Sequence, residues 1–182
     1  PGLGRRVPVR RLGGMAEAVA AVTQAVAAGA AVAWVRNTVD EAIAAHAALR
    51  EAGVDALLFH ARFAMVDRLR IEADVLRLFG KESGTGERTG RVVVATQVIE
   101  QSLDLDFDLL VSDLAPADLL IQRAGRLWRH RERSHRPLPA PELLLLAPEP
   151  VDDAPAVWLS EHRGTAAVYR DPARLWRSAR WV

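Results

Sequence analysis

A chain of 182 residues, half of them hydrophobic and 26% charged, is long enough to build one domain around a real core. It has no cysteine, which excludes a disulfide framework and a thiolate metal site and suits a reducing compartment. No apolar run approaches the ~18 to 20 residues of a membrane helix and the first eleven residues lack a signal-peptide core, so a cytoplasmic protein with no membrane partner is expected.

The chain opens on Pro1 rather than methionine, and a piece of something longer is expected. Residues 1–14 are basic and irregular, the pattern of a linker leading into the domain. Residues 15–28 form an alanine-rich helical pattern with Val19, Val22 and Val26 on one side, closed by Gly29. A strand over 30–35 runs into Arg36-Asn37-Thr38 and a second helix, 39–51, that Thr38 and Glu41 can start as a capping box and Gly53 can end. A strand at 56–59 is followed by His60-Ala61-Arg62-Phe63, a helix over 65–79, and a glycine-rich, charged segment, 81–90, that reads as a flexible loop.

The next unit is a strand at 92–95 that breaks into Thr96, Gln97, Glu100, Gln101, Ser102 and Asp104. It is followed by a strand at 109–111 and a helical pattern over 117–127. A further strand is expected at 143–146, and 148–155 as a loop. Alternating strands and helices predict an α/β domain whose mostly parallel sheet carries helices on both faces. The division expected is a linker at 1–14, a lobe at 15–147 and a tail at 148–182 that packs on the lobe through Trp158, Tyr169 and Trp176.

Charge is local rather than global. The net charge is +1, yet Arg123, Arg126, Arg129, Arg131, Arg133 and Arg136 fall within fourteen residues, beside His130 and His135 and against one acid, Glu132. This reads as an anion-seeking patch. On a helix Arg123 and Arg126 lie one turn apart, so both guanidiniums can reach one oxyanion. A guanidinium aimed at a transferring phosphoryl group stabilises developing charge. The alternative is a solvated basic helix face. Gly80-Lys81 is not a phosphate loop, because Val75 and Glu82 stand where glycine and Ser or Thr are required. The five histidines show no paired metal-ligand spacing, so no metal site is expected in this chain.

The stretch ATQVIEQSLDLDFD, followed some twenty residues later by QRAGRLWRH, resembles motifs V and VI of superfamily 2 helicases, the second RecA-like lobe. The combination is similar, more specifically, to the CRISPR-associated helicase-nuclease of type I systems. Arg36-Asn37-Thr38 and His60 to Phe63 with Asp67-Arg68 are similar to that family's nucleic-acid-facing segments, so residues 15 to 136 take part. Many superfamily members have arginine and glycine where Gln101 and Ser102 stand; glutamine and serine fit the CRISPR pattern.

The resemblance implies a RecA-like fold lacking its own P-loop, and implies roles. Arg126 would be the arginine finger on ATP bound between two lobes, Arg123 a second γ-phosphate contact, and Gln122 a neighbour of the attacking water or nucleotide. Asp104 would accept from the ribose hydroxyls, with Gln101 and Ser102 in the same ATP-binding segment. Thr96 and Gln97 would link DNA to the nucleotide cleft, while Asn37, Thr38 and Arg62 would hold single-stranded DNA phosphates. The implied partners are a first RecA-like lobe carrying the Mg²⁺ ligands, a His-Asp nuclease domain in the same parent chain, and a CRISPR RNA-guided surveillance complex. Alone, the chain would supply half an ATPase and be inactive. The rival readings are another superfamily 2 motor acting on DNA or RNA, and a non-enzymatic nucleic-acid-binding module.

Overall fold

Six short strands, β1 (Val9–Leu12), β2 (Val32–Val35), β3 (Ala56–Phe59), β4 (Val92–Ala95), β5 (Leu109–Asp113) and β6 (Glu142–Leu146), form one sheet. Its order is β1-β6-β5-β2-β4-β3, and every pairing is parallel. These assignments come from a computed structural model that describes residues 6–100, 103–152, 158–160 and 162–181. The central strands are apolar without alternation because both faces are covered. Val92 and Val94 pack with Trp34 and Val111 on one face, while Val93 and Ala95 pack with Ala33 and Phe59 on the other. This is the RecA-like arrangement that the sequence predicts.

Helices α1 (Met15–Ala27) and α2 (Val39–Glu51) cover the first face through Ala18, Val22 and Ala25 and through Ala42, Ala45 and Leu49. Helix α3 (Met65–Phe79) covers the second through Val75, Leu78 and Phe79. Each such fully buried leucine or phenylalanine stabilises the fold by ~1.5 to 3 kcal/mol relative to exposure. Gly29, at φ 88°, turns the chain out of α1 into the left-handed region that a side chain would resist.

The structure corrects three elements. Residues 9–12, expected as irregular linker, form edge strand β1, because Val9 to Leu12 align along Leu143 to Leu146 and Arg10 meets Glu142 at 3.0 Å. The expected flexible loop at 81–90 contains a helical turn, α4 (Thr85–Arg88), that drives Arg88 into the interior. Helix α5 is Ala117–Ala124 and stops three residues before the predicted end. There the peptide groups turn to a strand-like partner: Phe107 N–H donates to Arg126 O and Trp128 N–H to Phe107 O, both at 2.9 Å. The tail contributes α6 (Arg163–Val168) and α7 (Pro172–Trp181), and Leu159, Leu175 and Ala179 pack with Leu114, Leu120 and Leu145.

Candidate functional site

Because all strands are parallel, their carboxyl ends lie on one edge, and the turns that follow them converge there. Arg36, Asn37 and Thr38 follow β2, His60 and Arg62 follow β3, Thr96 and Gln97 follow β4, and Asp113 ends β5. The Asp113 carboxylate organises this edge, receiving Asn37 N–H at 2.8 Å and Arg36 Nε at 2.9 Å. Gln97 Nε2 donates to Asn37 O at 2.9 Å, which joins the β4 turn to the β2 turn.

These residues differ in what they leave open. Thr38 caps α2 by accepting Glu41 N–H at 3.2 Å, and its hydroxyl donates to the Glu41 carboxylate at 2.8 Å. Arg62 is exposed and holds Asp40 at 2.7 Å across the surface. Thr96 is 4% exposed and anchors the turn below the 3-10 segment Gln97–Glu100. Burial lowers the His60 pKa below the ordinary imidazole value and Arg62 nearby adds to this, despite an opposing backbone hydrogen bond. Asn37 departs from expectation: its Nδ2 donates to Leu114 O and Thr165 Oγ1, both at 2.8 Å, so its side chain faces the protein rather than an external strand.

The second group gathers around residues 100 to 130. Arg126 donates through Nη1 to Leu103 O. Its pKa is lowered chiefly by burial and then by the positive charge of Arg129, with Glu100 and Asp104 pulling the other way. Asp104 is half exposed and lies 2.7 Å from Arg129 Nε and 3.1 Å from His130 Nε2. The His130 hydrogen bond, ahead of the charges of His130 and Arg129, holds its carboxyl below the usual range even though burial opposes this. One guanidinium, half exposed, therefore pairs with a partly solvated carboxylate while a second, held at Leu103 O, feels the charge of both, an arrangement suited to an incoming oxyanion. Gln122 is exposed on α5. Gln101 and Ser102 lie outside the described residues.

Arg123 is not part of that group. It is 0% exposed, with its guanidinium 2.7 Å from both the Glu100 carboxylate and Ser112 Oγ, 3.2 Å from Asp113 O and 3.5 Å from the Tyr169 hydroxyl. The expectation that Arg123 and Arg126 reach one oxyanion is corrected. Helix α5 ends between them, so the spacing of three residues no longer places them on one helical face.

The anion-seeking patch is also corrected. Arg133 and Arg136 point at Asp106, at 3.0 and 2.8 Å, and Arg136 reaches Asp108 at 2.9 Å. Arg88 completes the cluster at 2.8 Å from Asp106 and 3.3 Å from Asp108. Asp108 also accepts Ala31 N–H, just before β2, which places the cluster at the amino ends of the strands. Arg129 and His130, which the sequence reading placed in the basic patch and the QRAGRLWRH motif without individual roles, are the residues this structure adds beside Arg126. Among the described residues no group of three or more His, Asp or Glu side chains is placed to hold a metal ion, and no helix is long and apolar enough to cross a membrane.

Residues 28–132 match the family model of the CRISPR-associated nuclease/helicase Cas3, C-terminal. The chain belongs to this family. It is 42% identical over 161 residues to the CRISPR-associated endonuclease/helicase Cas3 of Escherichia coli K12, covering 85% of this chain and 17% of that protein. The crystal structure of T. fusca Cas3-AMPPNP superposes with a TM-score of 0.82 at 37% identity, covering 97% of this chain and 21% of that one. A chain of a CRISPR RNA-guided surveillance complex, pre-nicking, superposes at 0.67 and 32% identity, covering 96% of this chain and 25% of its own length. The chain thus spans a quarter or less of each of these three proteins. The Cas3 family match extends through β2 to β5, α5 and the Arg126 to His130 group.

Proposed function

We propose that this domain is the second motor lobe of an ATP-dependent single-stranded DNA helicase of CRISPR interference. It would work in a parent chain that also holds the first RecA-like lobe and a His-Asp nuclease domain. The observation that carries the reading is the Arg126 and Arg129 pair beside Asp104, held within a Cas3-family fold. ATP with Mg²⁺ supplies the phosphoryl group whose transfer drives the motor, and the Mg²⁺ ligands belong to the first lobe. In this lobe Arg126 and Arg129 offer positive charge to the phosphates and Asp104 offers a carboxylate to the ribose, while Gln122 lies exposed on α5, just before them in the chain, as a nucleotide-side neighbour.

Closure of the two lobes completes the site by bringing Arg126 to the nucleotide. Arg62, Thr38 and Thr96 provide the strand-facing edge, with Gln97 and Asn37 holding its turns in register. A single strand followed by its backbone suits a motor that steps along any sequence. Loading by a CRISPR RNA-guided surveillance complex in the cytoplasm belongs to the same reading, supported by the similarity to a chain of such a complex.

The test is ATP hydrolysis by the parent protein with and without single-stranded DNA, comparing wild type, Arg126→Ala and Arg50→Ala. Arg50 is an exposed arginine at the far end of α2, and a better control than Arg136, which neutralises Asp106. Arg126→Ala should lower DNA-stimulated turnover by ~10³-fold or more with DNA binding retained, the effect of losing a finger. Equal behaviour of the two variants would discard the motor in favour of simple phosphate binding.

A further inference from the structure

The tail reaches the strand-facing edge through α6 and, through the residue that caps it, Arg123, whose partner Glu100 bears by its charge on Arg126. Thr165, in α6, is 2% exposed and accepts the Asn37 Nδ2–H at 2.8 Å on the strand-facing edge. Tyr169, one turn later, places its hydroxyl 3.5 Å from Arg123 Nη2. The Tyr169 N–H closes that turn by donating to Thr165 O at 2.9 Å, so Tyr169 caps α6 one turn beyond Thr165. Gly164 rests directly against the Glu41 carboxylate, so that a side chain at this position would displace that carboxylate. Together these contacts roof a polar cavity of about 190 Å³ lined by Arg36, Glu41, Asp113 and Thr165.

The groups beneath α6 form one chain of polar contacts. Asn37 and Arg36 both hold the Asp113 carboxylate, Asp113 O accepts Arg123 Nη1, and Arg123 Nε holds Glu100 at the end of the 3-10 segment. The near end is incompletely satisfied: Arg36 Nη1 and Asn37 Oδ1 are buried without hydrogen-bond partners among the described residues. A network with open valences is held in place by its remaining bonds. Thr165 is the bond from outside the sheet that fixes the Asn37 carboxamide, and Tyr169 meets the same network at Arg123.

We infer that α6 and the residue that caps it form a clasp in which Thr165 and Tyr169 are positioning residues, tying the strand-facing turn after β2 to Arg123 and, through the Glu100 carboxylate that Arg123 holds, to the Arg126 group, thereby coupling DNA engagement to ATP turnover. This rests on the motor reading above. Neither residue touches nucleotide or DNA; each acts through Asn37 or Arg123.

The experiment uses the full parent protein with Thr165→Val, Thr165→Ser and Tyr169→Phe, and measures ATP turnover without DNA and at saturating oligo-dT, with oligo-dT binding followed by anisotropy. The ratio of stimulated to unstimulated turnover should fall severalfold, up to roughly tenfold for Thr165→Val as one buried hydrogen bond is lost. DNA-free turnover should stay at the wild-type level, and Thr165→Ser should restore the ratio. Tyr169→Phe should lower the same ratio more weakly, and it decides the matter if Thr165→Val fails to fold. A wild type without DNA-stimulated hydrolysis would overturn the motor reading and this coupling with it. A stimulated wild type whose variants keep its ratio, or lose stimulated and unstimulated turnover in equal proportion, would overturn the coupling alone.

Discussion

Arg133 and Arg136 stand against Arg126 and Arg129, although all four fall in one short basic run. The first two meet Asp106 and Asp108 and are drawn into the fold, with Arg88 arriving from a separate turn to make three guanidiniums around two carboxylates. Of the second two, Arg129 holds the half-exposed Asp104, and the charges of Arg129 and Asp104 both fall on Arg126. Arginine in a sequence is therefore a count of charge, not a location of it. Whether a guanidinium is structural or poised for a ligand depends on carboxylates some twenty to thirty residues away, and those are what separate the two pairs.

The structural half can be broken most severely at Asp106, which is fully buried. Asp106→Ala would leave Arg133 without a carboxylate partner among the described residues, and Arg88 and Arg136 with Asp108 alone. Removing one partner of a buried ion cluster costs about 3 to 5 kcal/mol, because charge is left uncompensated away from water. Urea unfolding of the 182-residue chain, followed by tryptophan fluorescence, should show a loss of this size. A loss below ~1 kcal/mol would mean that solvent reaches the cluster.

The same residue sharpens the contrast through pH. Burial pushes the Asp106 carboxyl up, but hydrogen bonds and charge from Arg136 and Arg88 outweigh it and hold the group below the ordinary carboxylate range. A carboxylate depressed in the folded state contributes stability that is fully present above its unfolded value of ~4 and is lost as pH falls through the folded value. Stability should thus be level from pH 7 to about 5 and decline below about 4. Asp106→Asn should be less stable at pH 7 and should flatten the acid decline, whereas Asp104→Asn, at a half-exposed and screened pair, should change the profile little. An unaltered acid decline in Asp106→Asn would transfer the effect to other carboxylates.

Much of the fold was legible because the central strands are unbroken apolar runs: 92–95 and 56–59 coincide with β4 and β3, and α2 and α3 run over the predicted residues. Edge strand β1 was hidden because Arg10 and Arg11 interrupt it and its partners lie more than 130 residues away. Leu127 keeps helical spacing after α5, but its neighbours' peptide groups bond to Phe107, a non-local pairing that no local pattern encodes. At the site, the turns carrying Thr38, Arg62 and Thr96 were placed by the strands before them. The inward orientation of Arg123 and Asn37 was not, since Glu100, Ser112, Tyr169 and Thr165 become their partners only in the folded chain.

The smallest expected effect is also the one that isolates a poised arginine from a structural one outside the basic run. Arg62 and Asp40 are 64% and 79% exposed, so their 2.7 Å ion pair contributes no more than ~1 kcal/mol and competes weakly with another anion. Arg62→Ala should leave urea unfolding unchanged. If Arg62 holds one backbone phosphate, the variant should weaken oligo-dT binding by the parent protein to a similar degree for any sequence. The slope of log affinity against log salt should then shrink by ~0.7, the share of one single-strand phosphate contact. A slope equal to wild type would remove Arg62 from the proposed strand-facing edge.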